Sequence, residues 1–177
     1  NTGLMSDRFV TERRILEHLA EWCASNNFEL IIKCRDKRFE PAYYSDLADS
    51  VVRDECYFPP TNLELLSISD ISLGTGSLSS LESVILGCFA LTVVPPGLDR
   101  YITDMRRRNI NPIFGSGFLN YPGVSSRYST DYFQARYGDI LESSFLRTDD
   151  RKRYIENFWQ SDKSLMVPEL IQTILLD

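Results

Sequence analysis

The run Ser69-Asp70-Ile71-Ser72-Leu73-Gly74-Thr75-Gly76-Ser77-Leu78-Ser79-Ser80-Leu81-Glu82-Ser83-Val84-Ile85-Leu86-Gly87-Cys88-Phe89-Ala90-Leu91-Thr92-Val93-Val94 constrains the fold of this chain more than any other stretch. A short apolar strand ends in small residues, a Gly/Ser turn follows, a helix carries Leu81, Val84 and Ile85 on one side, and a second apolar strand closes the run. This order predicts a βαβ unit. Its turn sets hydroxyls and unpaired backbone N–H groups at a helix N-terminus, where the helix dipole favours an anion, a phosphate before others. Gly74 and Gly76 allow positive φ and close approach of a ligand, while Thr75, Ser77, Ser79 and Ser80 offer hydroxyl donors without added charge. Ser79 and Glu82 also spell S-x-x-E, a capping box that such a helix can use with no ligand present. The run matches neither G-x-G-x-x-G nor the P-loop pattern, so it is no dinucleotide or P-loop fingerprint.

The 177 residues suffice for one well-filled core, and 43% apolar with 25% charged residues is ordinary for a soluble domain, so one domain over 1–177 is expected. A net charge of −6 argues against a nucleic-acid partner held by bulk electrostatics. The local basic cluster Arg106-Arg107-Arg108 reads as a solvated face. Cys23, Cys34, Cys56 and Cys88 lie far apart in apolar runs with no C-x-x-C, which suits buried free thiols in a reducing, cytoplasmic setting. His18 is the single histidine, and no H-E-x-x-H occurs, so no metal is expected. No apolar run reaches the length of a membrane span and no signal-peptide pattern opens the chain. The start Asn1-Thr2-Gly3 carries no initiator Met, which suggests an excised part of a longer chain, the remainder holding half of the active site.

Along the chain, Ser6 or Asp7 is expected to cap a helix to about Asn26, with Val10, Ile15, Leu19, Trp22 and Cys23 near one face. Phe28 to Cys34 reads as a strand that delivers Lys33, Arg35, Asp36, Lys37 and Arg38 at its carboxyl end, where open α/β sheets bind ligands; Lys33 and Arg35, nearest the strand, are the candidates. Tyr43 to Val52 is expected to be helical, Cys56 to Phe58 a short strand before Pro59-Pro60, and Leu63 to Ser67 a brief helix capped by Thr61 or Asn62. After Val94 come a Pro95-Pro96-Gly97 turn, a helix from Asp99 to Arg108, a short edge strand Asn111 to Phe114, and a loop from Gly115 to Ser129. Three helices from about residue 130 finish the chain: Thr130 to Leu146, Asp149 to Phe158 and Val167 to Leu176. The last carries the stripe Leu170, Ile171, Ile174 and Leu175, which with the 115–129 loop is expected to face a partner domain. The alternation predicts an α/β fold: a doubly wound, Rossmann-like parallel sheet of five or six strands with helices on both faces.

The order of these features resembles the C-terminal half of a GT-B fold glycosyltransferase of the bacterial capsule and surface-polysaccharide type, over most of the chain from Asp7. Its carriers are Leu30-Ile31-Ile32-Lys33, similar to the family's strand leading into Lys-x-His-Pro; Leu65-Leu66-Ser67-Ile68-Ser69-Asp70; and Ser77 to Gly87, which resembles S-[ST]-x-x-x-E-[AS]-x-x-x-G. The resemblance implies a nucleotide-sugar donor, with its phosphates at the 74–80 turn and Glu82 near the ribose. Lys33, Arg35, Thr75, Gly76, Ser77, Ser79, Ser80 and Glu82 are then the donor site. It also implies a glycan acceptor, an N-terminal partner domain outside this chain, and no metal or other cofactor. Where that family carries His-Pro this chain has Arg35-Asp36, so either Arg35 stands in as the cation facing phosphate or the activity is altered. The catalytic base belongs to the other half and none is assigned here. Two other readings fit the same features: a sugar-nucleotide epimerase, which needs acid/base carboxylates in the cleft, and a non-catalytic domain that keeps only the fold.

Overall fold

The computed structural model describes residues 2–34, 41–53, 61–75, 79–94 and 117–158, with side chains from residue 11 onward. They form a mixed α/β structure of helices and five parallel strands, set in two small sheets. The chain divides into two compact units, Asn1–Asn62 with Thr130–Leu141 and Leu63–Ser129 with Glu142–Asp177. No helix among the described residues is long and apolar enough to cross a membrane.

In the first unit, helix α1 (Thr2–Asn26) buries Ile15, Leu19, Trp22 and Cys23, the i, i+4, i+7, i+8 face that the sequence marks. The helix begins at Thr2, so Ser6 and Asp7 lie inside it instead of capping it; inside a helix such residues cost less than about 0.7 kcal/mol each, too little to stop it. Its end is fixed by chemistry legible in sequence. Asn27 takes φ 60, and the Phe28 N–H donates to the Cys23 carbonyl at 3.0 Å, the backbone closure that left-handed Asn permits. The Phe28 ring then lies 5.0 Å from that of Trp22 and seals the turn.

Strands β1 (Ile31–Cys34) and β2 (Ser50–Arg53) pair in parallel, Ile31 opposite Ser50 and Cys34 opposite Arg53. The expected helix from Tyr43 to Val52 is therefore corrected: α2 is only Tyr43–Leu47, and Ala48 is already extended at φ −99, ψ 147. Two forces end it. The Asp49 carboxylate accepts the Leu30 N–H at 2.8 Å while the Asp49 N–H donates to the Leu30 carbonyl at 3.0 Å, and the β-branched pair Val51-Val52 favours a strand.

Two phenols of α2 meet one carboxylate of α1: Tyr44 donates to Glu12 Oε1, and Tyr43 reaches the same oxygen at 3.4 Å. Burial, then the Glu12 charge, pushes Tyr43 from 10.0 up to about 12; burial and the Glu12 hydrogen bond push Tyr44 up as well. Because the folded state disfavours the phenolates, their stabilisation is complete below pH 10.0 and is lost as pH rises through about 12. The melting temperature is thus expected to fall across that window less steeply in a Tyr43→Phe/Tyr44→Phe variant than in the parent chain. Thermal melts at stepped alkaline pH check this, and equal slopes in the two proteins contradict it.

In the second unit β4 (Phe89–Val94) is central, flanked in parallel by β3 (Ile71–Gly74) and β5 (Ser125–Ser129). Helix α4 (Ser79–Ile85) crosses between β3 and β4, as the central run predicts. It ends on Gly87 at φ 94, with the Cys88 N–H bonded to the Ser83 carbonyl at 2.8 Å and the Gly87 N–H to that of Val84 at 3.2 Å, a Schellman closure. Leu63 and Leu66 of α3 (Thr61–Ser67) join Leu81, Val84, Ile85, Ala90 and Val124 in one core.

The segment from Gly115 to Ser129, expected to be loop throughout, holds a 3-10 turn at Gly117–Leu119 and then β5. Ser125-Ser126-Arg127-Tyr128-Ser129 lacks the apolar alternation of a strand; its backbone pairing with β4 from Ala90 to Val94 makes it one. Helix α5 (Thr130–Glu142) stops short of the expected Leu146 and is kinked at Arg136 (φ −140, ψ 24). Helix α6 (Thr148–Phe158) matches its expected span and buries Tyr154, whose hydroxyl donates to the Phe118 carbonyl at 3.0 Å. The expected strand at Cys56–Phe58, the helix at Asp99–Arg108, the strand at Asn111–Phe114 and the closing helix with Leu170, Ile171, Ile174 and Leu175 lie outside the described residues.

Candidate functional site

The Gly/Ser turn leaves β3 at its carboxyl end. Gly74 is the last strand residue, Thr75 is exposed beside it, and the chain re-enters at Ser79, the first residue of α4, with Ser80 buried and Glu82 half-buried in the first turn. Gly76 and Ser77 lie outside the described residues, as does Arg35. Lys33 is half-buried on β1, opposite Val52, and belongs to the first unit, whereas Thr75, Ser79, Ser80 and Glu82 belong to one crossover of the second. Gly74 needs correction in one respect: among the described residues the positive-φ glycines are Gly87 and Gly123, so no left-handed backbone calls for glycine at 74.

Hydroxyl chemistry fastens this turn. Ser83 donates to the Ser79 carbonyl at 2.6 Å, and Ser72 on β3 donates to the Ser83 hydroxyl at 2.8 Å, so strand and first helical turn are tied side by side. The register sets out the carboxyl edge of the sheet: Gly74 lies opposite Thr92, Thr92 opposite Arg127, and Val94 opposite Ser129. Arg127 is exposed, while Thr92 is fully buried and its Oγ1 has no hydrogen-bond partner. Sequence reasoning missed both. Thr92 left a faint signal, a hydroxyl within the otherwise apolar Phe89-Ala90-Leu91-Thr92-Val93-Val94; Arg127 left none, because the segment read as loop.

Cys23, Cys34 and Cys88 are buried thiols outside any disulfide. Burial pushes Cys88 up to about 11 and raises Cys23, which keeps both as unreactive thiols and not nucleophiles. Within the first unit a cleft of about 560 Å³ lies between the end of α1 and the kink of α5, lined by Glu21, Trp22 and Ser25 opposite Ala135 to Asp139. His18 stacks on Tyr137 beside it at 4.4 Å, and Arg136 pairs with Asp139 at 2.8 Å. None of the candidate donor-site residues lines it. Among the described residues no three His, Cys, Asp or Glu side chains group to hold a metal ion.

Comparison with protein-family models, with curated proteins and with solved structures returned no match for this chain.

Proposed function

We propose that this chain is the donor-binding half of a two-domain glycosyltransferase of the GT-B type, holding the phosphates of a nucleotide sugar at the 74–80 turn. One observation carries the reading. A glycine ends a parallel strand at the carboxyl edge of a sheet, and a hydroxyl-rich turn leads from it directly into the crossover helix, which is where α/β sheets take up phosphorylated ligands. In this reading the two sheets are parts of one doubly wound architecture, the acceptor glycan and the catalytic base come from a partner domain, and the enzyme works in the cytoplasm. The turn's N–H and hydroxyl donors stabilise the departing nucleotide phosphate as the glycosidic bond breaks, by preorganised hydrogen bonds and no proton transfer of their own. Glu82 holds the ribose.

Ser77 is the residue to change, because it aligns with the conserved Ser of the resembled motif. Ser77→Ala is expected to weaken nucleotide affinity about tenfold, close to 1.4 kcal/mol, with the melting temperature unchanged. An unchanged affinity, or a loss that follows lost stability, removes the phosphate role and leaves a plain capped helix.

A further inference from the structure

We infer that the cleft between the end of α1 and the kink of α5 is a binding site for a small organic ammonium ion, a primary alkylamine, whose N–H groups donate to the Glu21 carboxylate. The inference does not rest on the donor-binding reading above. Every residue that lines the cleft belongs to the first unit.

The cleft is accessible and of ligand size. Its volume is about 560 Å³, that of a small-molecule site, and Glu21, Ser25, Arg136 and Asp139 on its walls are exposed. Two features of α5 border it. The helix leaves helical geometry at Arg136 (φ −140, ψ 24), and Gly138 just beyond adds no side chain to the wall; among the described residues nothing lies within 4 Å of a Cβ built there.

The charge of the lining decides what the cleft takes. Arg136 is the cation among the lining residues, and its Nε and Nη2 both donate to Asp139 Oδ2, at 3.2 and 2.8 Å. Glu21 is met by a neutral group, accepting the Tyr137 hydroxyl in a long bond of 3.4 Å. With Asp139 balanced by Arg136, the lining keeps the negative charge of Glu21. The backbone adds to it. The cleft lies at the C-terminal end of a 25-residue helix, the negative end of its dipole, where the last turn carries no basic residue. The Glu21 and Trp22 carbonyls there accept only neutral donors, the Ser25 hydroxyl and the Asn26 amide, each at 2.8 Å. An anion is repelled and a cation attracted. Trp22 and Tyr137, the latter stacked on His18 at 4.4 Å, bring aromatic surface that attracts an ammonium through the ring quadrupole and suits the alkyl chain behind it. An ammonium with three N–H donors finds its acceptors in the Glu21 carboxylate and the lone pairs of the Ser25 hydroxyl.

The test is an NMR titration of putrescine into the isotope-labelled chain, with butanediol as its uncharged counterpart, repeated on Glu21→Gln, Gly138→Leu and Glu156→Gln with a thermal melt of each. Putrescine is expected to bind saturably and to shift the Ser25 and Gly138 amides and the Trp22 indole N–H, while butanediol leaves them in place. Glu21→Gln is expected to weaken binding about fivefold or more at an unchanged melting temperature, through loss of a charge-assisted hydrogen bond. Glu156→Gln, which removes an exposed carboxylate of α6 in the second unit, is expected to bind as the parent does. Gly138→Leu is expected to fold, because its Cβ meets no atom of the described residues and its φ is not positive, and to lose binding; it decides the matter if Glu21→Gln fails to fold. Equal losses in Glu21→Gln and Glu156→Gln mean attraction to the net charge of −6 alone and overturn the inference. Equal binding of butanediol, binding retained in Gly138→Leu, or no binding of putrescine overturns it as well.

Discussion

Gly123→Ala is expected to lose about 3 kcal/mol or more of stability, a fall of roughly 10 °C in melting temperature for a chain of this size. Two independent effects act at this position. Gly123 sits at φ 80 as the third residue of Tyr121-Pro122-Gly123-Val124, a type II turn closed by the Val124 N–H on the Tyr121 carbonyl at 3.2 Å. A side chain there meets the left-handed penalty of about 1–2 kcal/mol. A Cβ would also overlap the Asp150 carboxylate and lie 3.0 Å from the Asp150 Cβ, so the carboxylate must swing away and α6 must give by a few tenths of an ångström. The same glycine carries the contact at the start of α6, its carbonyl accepting the Arg147 N–H at 2.8 Å. Gly117→Ala is the control: its Cβ would lie 3.5 Å from the Phe158 ring, an ordinary contact, and little change is expected. Urea denaturation of both variants checks the pair, and equal effects at 117 and 123 contradict the account.

The second large effect is at Arg151. Its Nε donates to the Val84 carbonyl at 2.9 Å and its Nη2 to the Ile85 carbonyl, so a guanidinium from α6 caps the last carbonyls of α4. Burial lowers its pKa, yet an arginine stays charged, and the cation also meets the negative end of the helix dipole. Arg151→Met keeps the apolar stem and removes the fork, leaving half-buried carbonyls without their charged donor; the expected loss is about 3 kcal/mol. Arg151→Lys is expected to recover only part of it, since one ammonium on a flexible stem cannot match two carbonyls in a fixed geometry. Arg153, whose pairing with Asp150 is 3.8 Å long and whose side chain is 69% exposed, serves as comparison: Arg153→Met is expected to change stability by less than about 0.5 kcal/mol. Equal losses at 151 and 153 contradict the capping role.

Where the fold was legible in the sequence, the signal was local. The βαβ unit was readable because its strands are apolar, its helix has a clear face, and Gly87 marks the stop. Asn26-Asn27 ended α1 for the same kind of reason, a residue tolerant of positive φ. The misreadings came from tertiary pairing. Ser50 to Arg53 reads as the end of a helix until Asp49 is seen bonded to Leu30, and Ser125 to Ser129 reads as loop until β4 supplies its hydrogen bonds. The site divides in the same way. Thr75, Ser79, Ser80 and Glu82 were singled out by motif, whereas the register that sets Gly74 opposite Thr92 and Thr92 opposite Arg127 is something no linear pattern carries.

The central claim is that the 74–80 turn binds the phosphates of a nucleotide sugar, and its most direct measurement is calorimetric titration of UDP-, GDP-, ADP- and dTDP-sugars into the chain, with the corresponding nucleosides as controls. The account predicts saturable one-to-one binding of at least one nucleotide sugar, competition by its nucleoside diphosphate, and weaker binding by about tenfold or more for the nucleoside that lacks phosphate. Equal affinity for nucleotide sugar and nucleoside, or no binding of any, contradicts it.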